Sequence, residues 1–204
     1  MPDAAPSNSA DSGTLPDEQE WIERALSGEE AAMEWLYRCY EKSVYTLAYR
    51  LTGQSADAQD VLQDSFIRCF DCLHQYQGND AFWPWLKRIT ITTALMRLRR
   101  QRRWQFVSHE PESDYQTGPE QSCENDIELT RALASLTPTG RAVLWLYHGE
   151  GYSHAEIAAL WGKSVSFSKS QLARALQRLR SLLNDTDAPT TGSASSGIAR
   201  EALL

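Results

Sequence analysis

Two groups of residues in this sequence are arranged for chemistry with a charged partner. Between Ala81 and His109 stand seven Lys or Arg residues and no acid, and the stretch is headed by the aromatics Phe82, Trp83 and Trp85. Guanidinium and ammonium groups neutralise phosphates, and aromatic faces stack on unpaired bases, so the combination predicts binding to an exposed nucleic-acid strand. The competing reading is a solubilising helix end over buried tryptophans, although the helix dipole accounts only for charges near the last turn. The second group lies in "DAQDVLQDSFIRCFDCLHQ", where Asp57, Asp60, Asp64 and Asp71 recur along a helical period. Such a row can be a solvated face, a metal or acid/base site, or a docking face for a basic partner. Like charges stacked at these spacings oppose the helix by about a few tenths of a kcal/mol per pair, which a neutralising partner relieves.

The elements that must position these groups are helices. From Asp57 to about Gln75, Ala58, Leu62, Phe66, Cys69 and Leu73 fall on one stripe, with the carboxylates nearly opposite. In the next helix, Phe82, Leu86, Ile89, Thr93 and Met96 form the predicted core stripe. Asp80 can cap that helix, and Pro84 is tolerated in its first turn, where amides have no intrahelical partner. Lys87, Arg88, Arg97, Arg99, Arg100, Arg102 and Arg103 project around the rest. Cys69-x-x-Cys72 with His74 is the best remnant of a catalytic or zinc site, and the place of Cys69 in the core stripe favours buried thiols. No catalytic residue, metal or cofactor is expected.

Helical periodicity runs from Glu18 to about Arg103 and again from Ile127 to Leu183, with no alternating strand pattern. The predicted fold class is therefore all-α: a helical domain at 17–103, an acidic linker at 104–126, and a second helical domain at 127–183. The polar tails at 1–16 and 184–204 are expected to be disordered. The chain of 204 residues has no run of 18 apolar residues and starts without a signal-peptide pattern, so a cytoplasmic protein without membrane insertion is expected. Its four cysteines, irregularly spaced, suit reduced thiols. A net charge of −7 opposes free binding to any polyanion, which argues against a stand-alone DNA-binding regulator.

A second nucleic-acid signal lies in "GEGYSHAEIAALWGKSVSFSKSQLARALQRLRSLL". Ser153 and Glu156 form a capping box, a short helix ends at Trp161-Gly162, and Ser164 can cap a longer basic helix to about Leu183. This is the order of a helix-turn-helix, although a helical hairpin used only for packing has the same outline.

"SADAQDVLQDSFIRCFDCLHQYQGNDAFWPWLKRITITTALMRLRRQRR" resembles region 2 of the sigma-70 family, and "LASLTPTGRAVLWLYHGEGYSHAEIAALWGKSVSFSKSQLARALQRLRSLL" resembles region 4. With only these regions and a short linker, the chain is similar to extracytoplasmic-function (ECF) sigma factors. The resemblance implies docking on core RNA polymerase through Asp57, Asp60, Gln63 and Asp64. It implies reading and opening of the promoter −10 element by Asn79, Asp80, Phe82, Trp83 and the basic residues Lys87, Arg88, Arg97, Arg99, Arg100, Arg102 and Arg103. The helix from Ser164 would enter the major groove at the −35 element with Ser166, Phe167, Lys169, Ser170, Gln171, Arg174 and Arg178. The linker would thread the polymerase channels where RNA travels, and an anti-sigma factor or other regulatory protein is a further implied partner.

Several residues depart from the family pattern. Ile91, Thr92 and Met96 stand where Arg, Asn and Asp are usual, Lys163 and Ser168 replace apolar residues, and Gln171 replaces a basic one. These departures keep a rival open: a sigma-like adaptor that binds polymerase or a partner without productive promoter readout.

Overall fold

The computed structural model describes residues 18–78, 81–108 and 132–186, leaving aside the side chains at 103–108 and 183–186. The expected N-terminal tail lies outside the described residues, as do 109–126 of the expected linker, 187–204 of the expected C-terminal tail, and Asn79 and Asp80. The helices that begin at Phe82 and Val165 run to Ser108 and Thr186, past the expected boundaries at 103 and 183. All regular elements among the described residues are helical. Helix α1 spans Glu18–Leu26, α2 Glu30–Thr52, α3 Ser55–Asp71 and α4 Phe82–Ser108. A 3-10 turn at Leu73–Gln75 follows α3, so the helix predicted to run to Gln75 breaks at Cys72, whose ψ of 14° leaves the α-helical range.

The first four helices form a bundle in which α2 packs against α1, α3 and α4, and α3 packs against α4. Its centre holds the predicted stripe of α3, with Ala58, Leu62, Phe66, Cys69 and Leu73 all buried. Helix α2 ends on Gly53, whose φ of 79° is left-handed and whose amide donates to Tyr49 O at 2.7 Å. Glycine is required there twice over, since a Cβ would also sit 1.1 Å from Nη1 of Arg141.

Beyond the linker come α5 at Pro138–Leu144, a π-helical turn at Trp145–Gly149, α6 at His154–Trp161 and α7 at Val165–Thr186. Thr137 caps α5, with Pro138 in its first turn, where the missing amide costs nothing. The predicted capping box opens α6: the Ser153 hydroxyl accepts from the Glu156 amide, and the Glu156 carboxylate accepts from the Ser153 amide at 2.8 Å. Gly162, at φ 59°, closes it. Helices α5 and α6 both pack on α7, the arrangement of a helix-turn-helix unit.

The halves are not separate in this structure. One buried cluster joins Leu47 and Leu51 of α2, Val61 of α3, and Ile91, Leu95 and Leu98 of α4 to Val143, Leu146, Ile157, Trp161 and Leu172. Helix α4 therefore carries two apolar stripes. The predicted one begins with Phe82 and Leu86 in the bundle core, but Met96 at its end is exposed. The second stripe, Ile91, Ala94, Leu95 and Leu98, is the buried continuation.

Candidate nucleic-acid interface

The acidic face of α3 divides at its first residue. Asp57, expected opposite the core, is buried, because α4 lies alongside the start of α3. Arg97 donates to Asp57 from Nε at 2.8 Å and Gln101 donates from Nε2 at 2.7 Å. The same guanidinium bridges to Asp60 at 2.5 Å, leaving the Asp60 side chain half exposed. Burial works against the charge of Arg97, but the two aspartates outweigh it, so its pKa lies above the usual arginine value. Asp57 and Arg97, predicted as polymerase and DNA contacts respectively, are thus each other's partners. Gln63, Asp64 and Asp71 are exposed, and Ile67 stands among them with 59% of its surface open.

On α4 the aromatic residues differ in availability. Phe82 is fully buried, ringed by Tyr40, Tyr76 and Trp85, as its place in the predicted core stripe requires, and it presents no open face to a base in this structure. Trp83 is half-buried, stacked on Tyr40 with centroids 5.9 Å apart and planes within 2°. Arg88, Arg100 and Arg102 are exposed. Lys87 and Arg99 face the second half of the molecule instead. Lys87 Nζ lies 3.0 Å from Glu150, and Arg99 donates to the Leu160 carbonyl with its guanidinium 5.8 Å from the Trp161 ring. The Arg103 side chain lies outside the described residues, as do the Asn79 and Asp80 positions.

Helix α7 presents Ser164's neighbour Val165, then Ser166, Lys169, Ser170, Arg174 and Arg178, to solvent, with Ser164 itself exposed at the turn. Ser164 Oγ accepts from the Phe167 amide at 3.3 Å, which is the predicted cap. Phe167 is only partly open and packs against Trp161, so its ring belongs more to the unit's core than to a groove-reading face. Ser168, in a place usual for an aliphatic residue, is fully buried, but its hydroxyl lies 3.0 Å from His154 Nδ1 and so is partnered. Gln171, Arg174 and Arg178 line one wall of a groove of about 580 Å³, and Arg102 of α4 contributes to the other.

Cys69 is buried, and desolvation followed by the neighbouring Cys72 pushes its thiol up to about 12, far from a reactive thiolate. Among the described residues, no group of three His, Cys, Asp or Glu side chains is placed to hold a metal ion. No helix among them is long and apolar enough to cross a membrane.

Sequence reasoning missed Glu150, Arg141 and the cation pairing of α4. The legible signal was the second apolar stripe, since Ile91, Ala94, Leu95 and Leu98 recur at helical spacing just as the first stripe does.

The arrangement has recognisable relatives. Residues 36–104 match the Sigma-70 region 2 family, and residues 126–179 match the Sigma-70, region 4 family. The chain is 36% identical over 178 residues to the ECF RNA polymerase sigma factor SigE of Mycolicibacterium smegmatis, covering 82% of this chain and 69% of that protein. It is 30% identical over 176 residues to the ECF RNA polymerase sigma-E factor of Salmonella typhi, covering 79% and 92% respectively. In fold it is similar to the sigma factor RpoE in its co-crystal structure with the anti-sigma factor NepR from Bartonella quintana. That likeness has a TM-score of 0.52 at 21% identity over 79% of this chain and 98% of that one. The two family matches together span more than half of the chain in the order region 2 then region 4, and the chain belongs to the ECF sigma factors of the sigma-70 family.

Proposed function

We propose that this sigma factor divides promoter-directed initiation among three of its own surfaces. Asp60, Gln63 and Asp64, with the exposed Ile67 one turn further along α3, dock on a basic surface of core RNA polymerase. Asp57 acts behind them as a positioning residue, because it holds α4 against α3 through Arg97 and Gln101. Arg88, Arg100 and Arg102 contact phosphates around the −10 element, and the face of Trp83 away from Tyr40 stacks on a base of the separated strand. Asn79, Asp80 and Arg103 are assigned to the same strand on the family resemblance. Lys169, Gln171, Arg174 and Arg178 read the −35 element from the major groove, with Ser164, Ser166 and Ser170 on its phosphates.

The observation that carries this reading is the segregation of exposed charge. Among the described side chains the open charges of α3 are acids apart from Arg68, and those of α4 and α7 are bases. A basic protein partner and a polyanion can therefore be held at once, and neither repels the other's site. The protein works in the cytoplasm and has no catalytic activity of its own. An anti-sigma factor or similar regulator is a further partner. An adaptor without promoter readout would keep the α3 surface and have no use for an exposed basic α7. Reconstitution with core polymerase tests the assignment: promoter-selective RNA is expected, and polymerase binding without selective RNA would favour the adaptor.

A further inference from the structure

We propose that the chain closes on itself through a latch centred on Arg141, which docks the helix-turn-helix half onto region 2 and covers part of the −10 surface. The covering of that surface rests on the assignment of α4 to the −10 element. The latch itself does not.

Arg141 is 1% exposed and reaches out of α5 into the end of α2. Its Nη1 donates to Thr52 O at 2.9 Å, and its Nε donates to Leu133 O at 2.8 Å. The guanidinium occupies the space over Gly53 that any side chain would fill. A buried cation is costly unless its donors meet acceptors, and here the free carbonyls at a helix C-terminus meet it, where the dipole also favours positive charge.

Three contacts surround this centre. Arg50 of α2 lies over the Trp145 ring at 4.5 Å. Trp145 Nε1 donates to Glu150 at 3.1 Å, and Glu150 in turn pairs with Lys87 at 3.0 Å. Arg99 caps the last carbonyls of α6 through Leu160 O. Apolar burial alone would join the halves without discrimination. The polar latch ties the closed state to two cations, Lys87 and Arg99, that a polyanion would otherwise attract. Closure and DNA binding therefore compete for the same side chains, and a partner that separates the halves releases them. Ile91 fits this reading: an apolar residue in a usually polar place is fully buried in the shared cluster.

Small-angle scattering of the full chain tests the latch in Arg141→Met and, separately, Glu150→Lys, with circular dichroism to confirm helicity. Arg141→Met removes the bonds to α2 at similar side-chain length, and Glu150→Lys places like charges together without touching Arg141. Both variants are expected to show a larger radius of gyration than the wild type. If the open form is about one molecule in ten, opening raises apparent affinity for a mixed-sequence DNA duplex by about tenfold. A wild type that is already extended, or two helical variants as compact as the wild type, would overturn the latch. Variants that open while duplex affinity stays constant would uphold the latch and reject the DNA-contact reading of Lys87 and Arg99.

Discussion

Replacing Asp57 by Ala removes the acceptor for both Arg97 and Gln101 while leaving the outer carboxylates of α3 in place. Losing one member of a fully buried ion pair costs about 3–5 kcal/mol. Arg97 is 30% exposed and keeps Asp60 at 2.5 Å, so solvent and the remaining partner reduce the cost to about 1–2 kcal/mol. For a chain of this size each kcal/mol lowers Tm by about 2–4 °C, which gives a drop of about 2–8 °C. Asp64→Lys, on an exposed position, should change stability by no more than about 0.5 kcal/mol yet abolish binding to core polymerase. Thermal unfolding by circular dichroism and a polymerase pull-down separate the two effects. If Asp57→Ala melts with the wild type, or Asp64→Lys melts as early as Asp57→Ala, the division of this acidic row into a structural and a docking part is wrong.

Trp83→Ala should impair strand opening on duplex promoters, with the loss of about 1–3 kcal/mol of base stacking partly rescued on pre-melted templates; permanganate footprinting reads the melted bases. Arg100→Ala and Arg102→Ala should each weaken holoenzyme binding on any sequence and lower the salt slope by about one unit at most, measured by titration at several salt concentrations. Ser168→Ala should destabilise the chain by about 1 kcal/mol in urea unfolding, because His154 loses its buried partner. Gly162→Ala should cost about 1–2 kcal/mol in the same assay purely through its left-handed backbone, since nothing lies within 4 Å of the added methyl.

The features legible in the sequence were local ones. The stripe Ala58, Leu62, Phe66, Cys69 and Leu73 is set by a single helical period, and the Ser153–Glu156 box closes within one turn, so neither needs knowledge of a neighbour. The pairing of Arg97 with Asp57 joins residues 40 positions apart, and periodicity does not say which helix will lie alongside which face. Asp57 looked like its neighbours Asp60 and Asp64 because a helical wheel places it by angle, whereas burial depends on what crosses above it. Phe82 carries two readings in the sequence, a core-stripe position and a strand contact, because an aromatic in a basic stretch can serve packing or stacking, and the surrounding rings of Tyr40, Tyr76 and Trp85 favour packing. The apolar Ile91 looked like a gap in a promoter-contacting pattern, and its burial beside the second half supplies the physical reason for it.

The π-helical turn at Trp145–Gly149 makes chain length, beside residue identity, a parameter that aligns the two halves. Such a turn accommodates one residue more than an α-helix does over the same rise, and that extra residue rotates the downstream chain by about 100°. Here the rotation allows Leu146 to be buried while Trp145 and Glu150 both turn toward region 2. Gly149 permits it, because a Cβ there would come within 2.8 Å of the Trp145 ring. A one-residue deletion in this segment would remove the wide turn and aim Glu150 away from Lys87. Relatives that differ by a single residue in this turn would accordingly differ in how their two halves meet, even where every side chain on the meeting surfaces is the same.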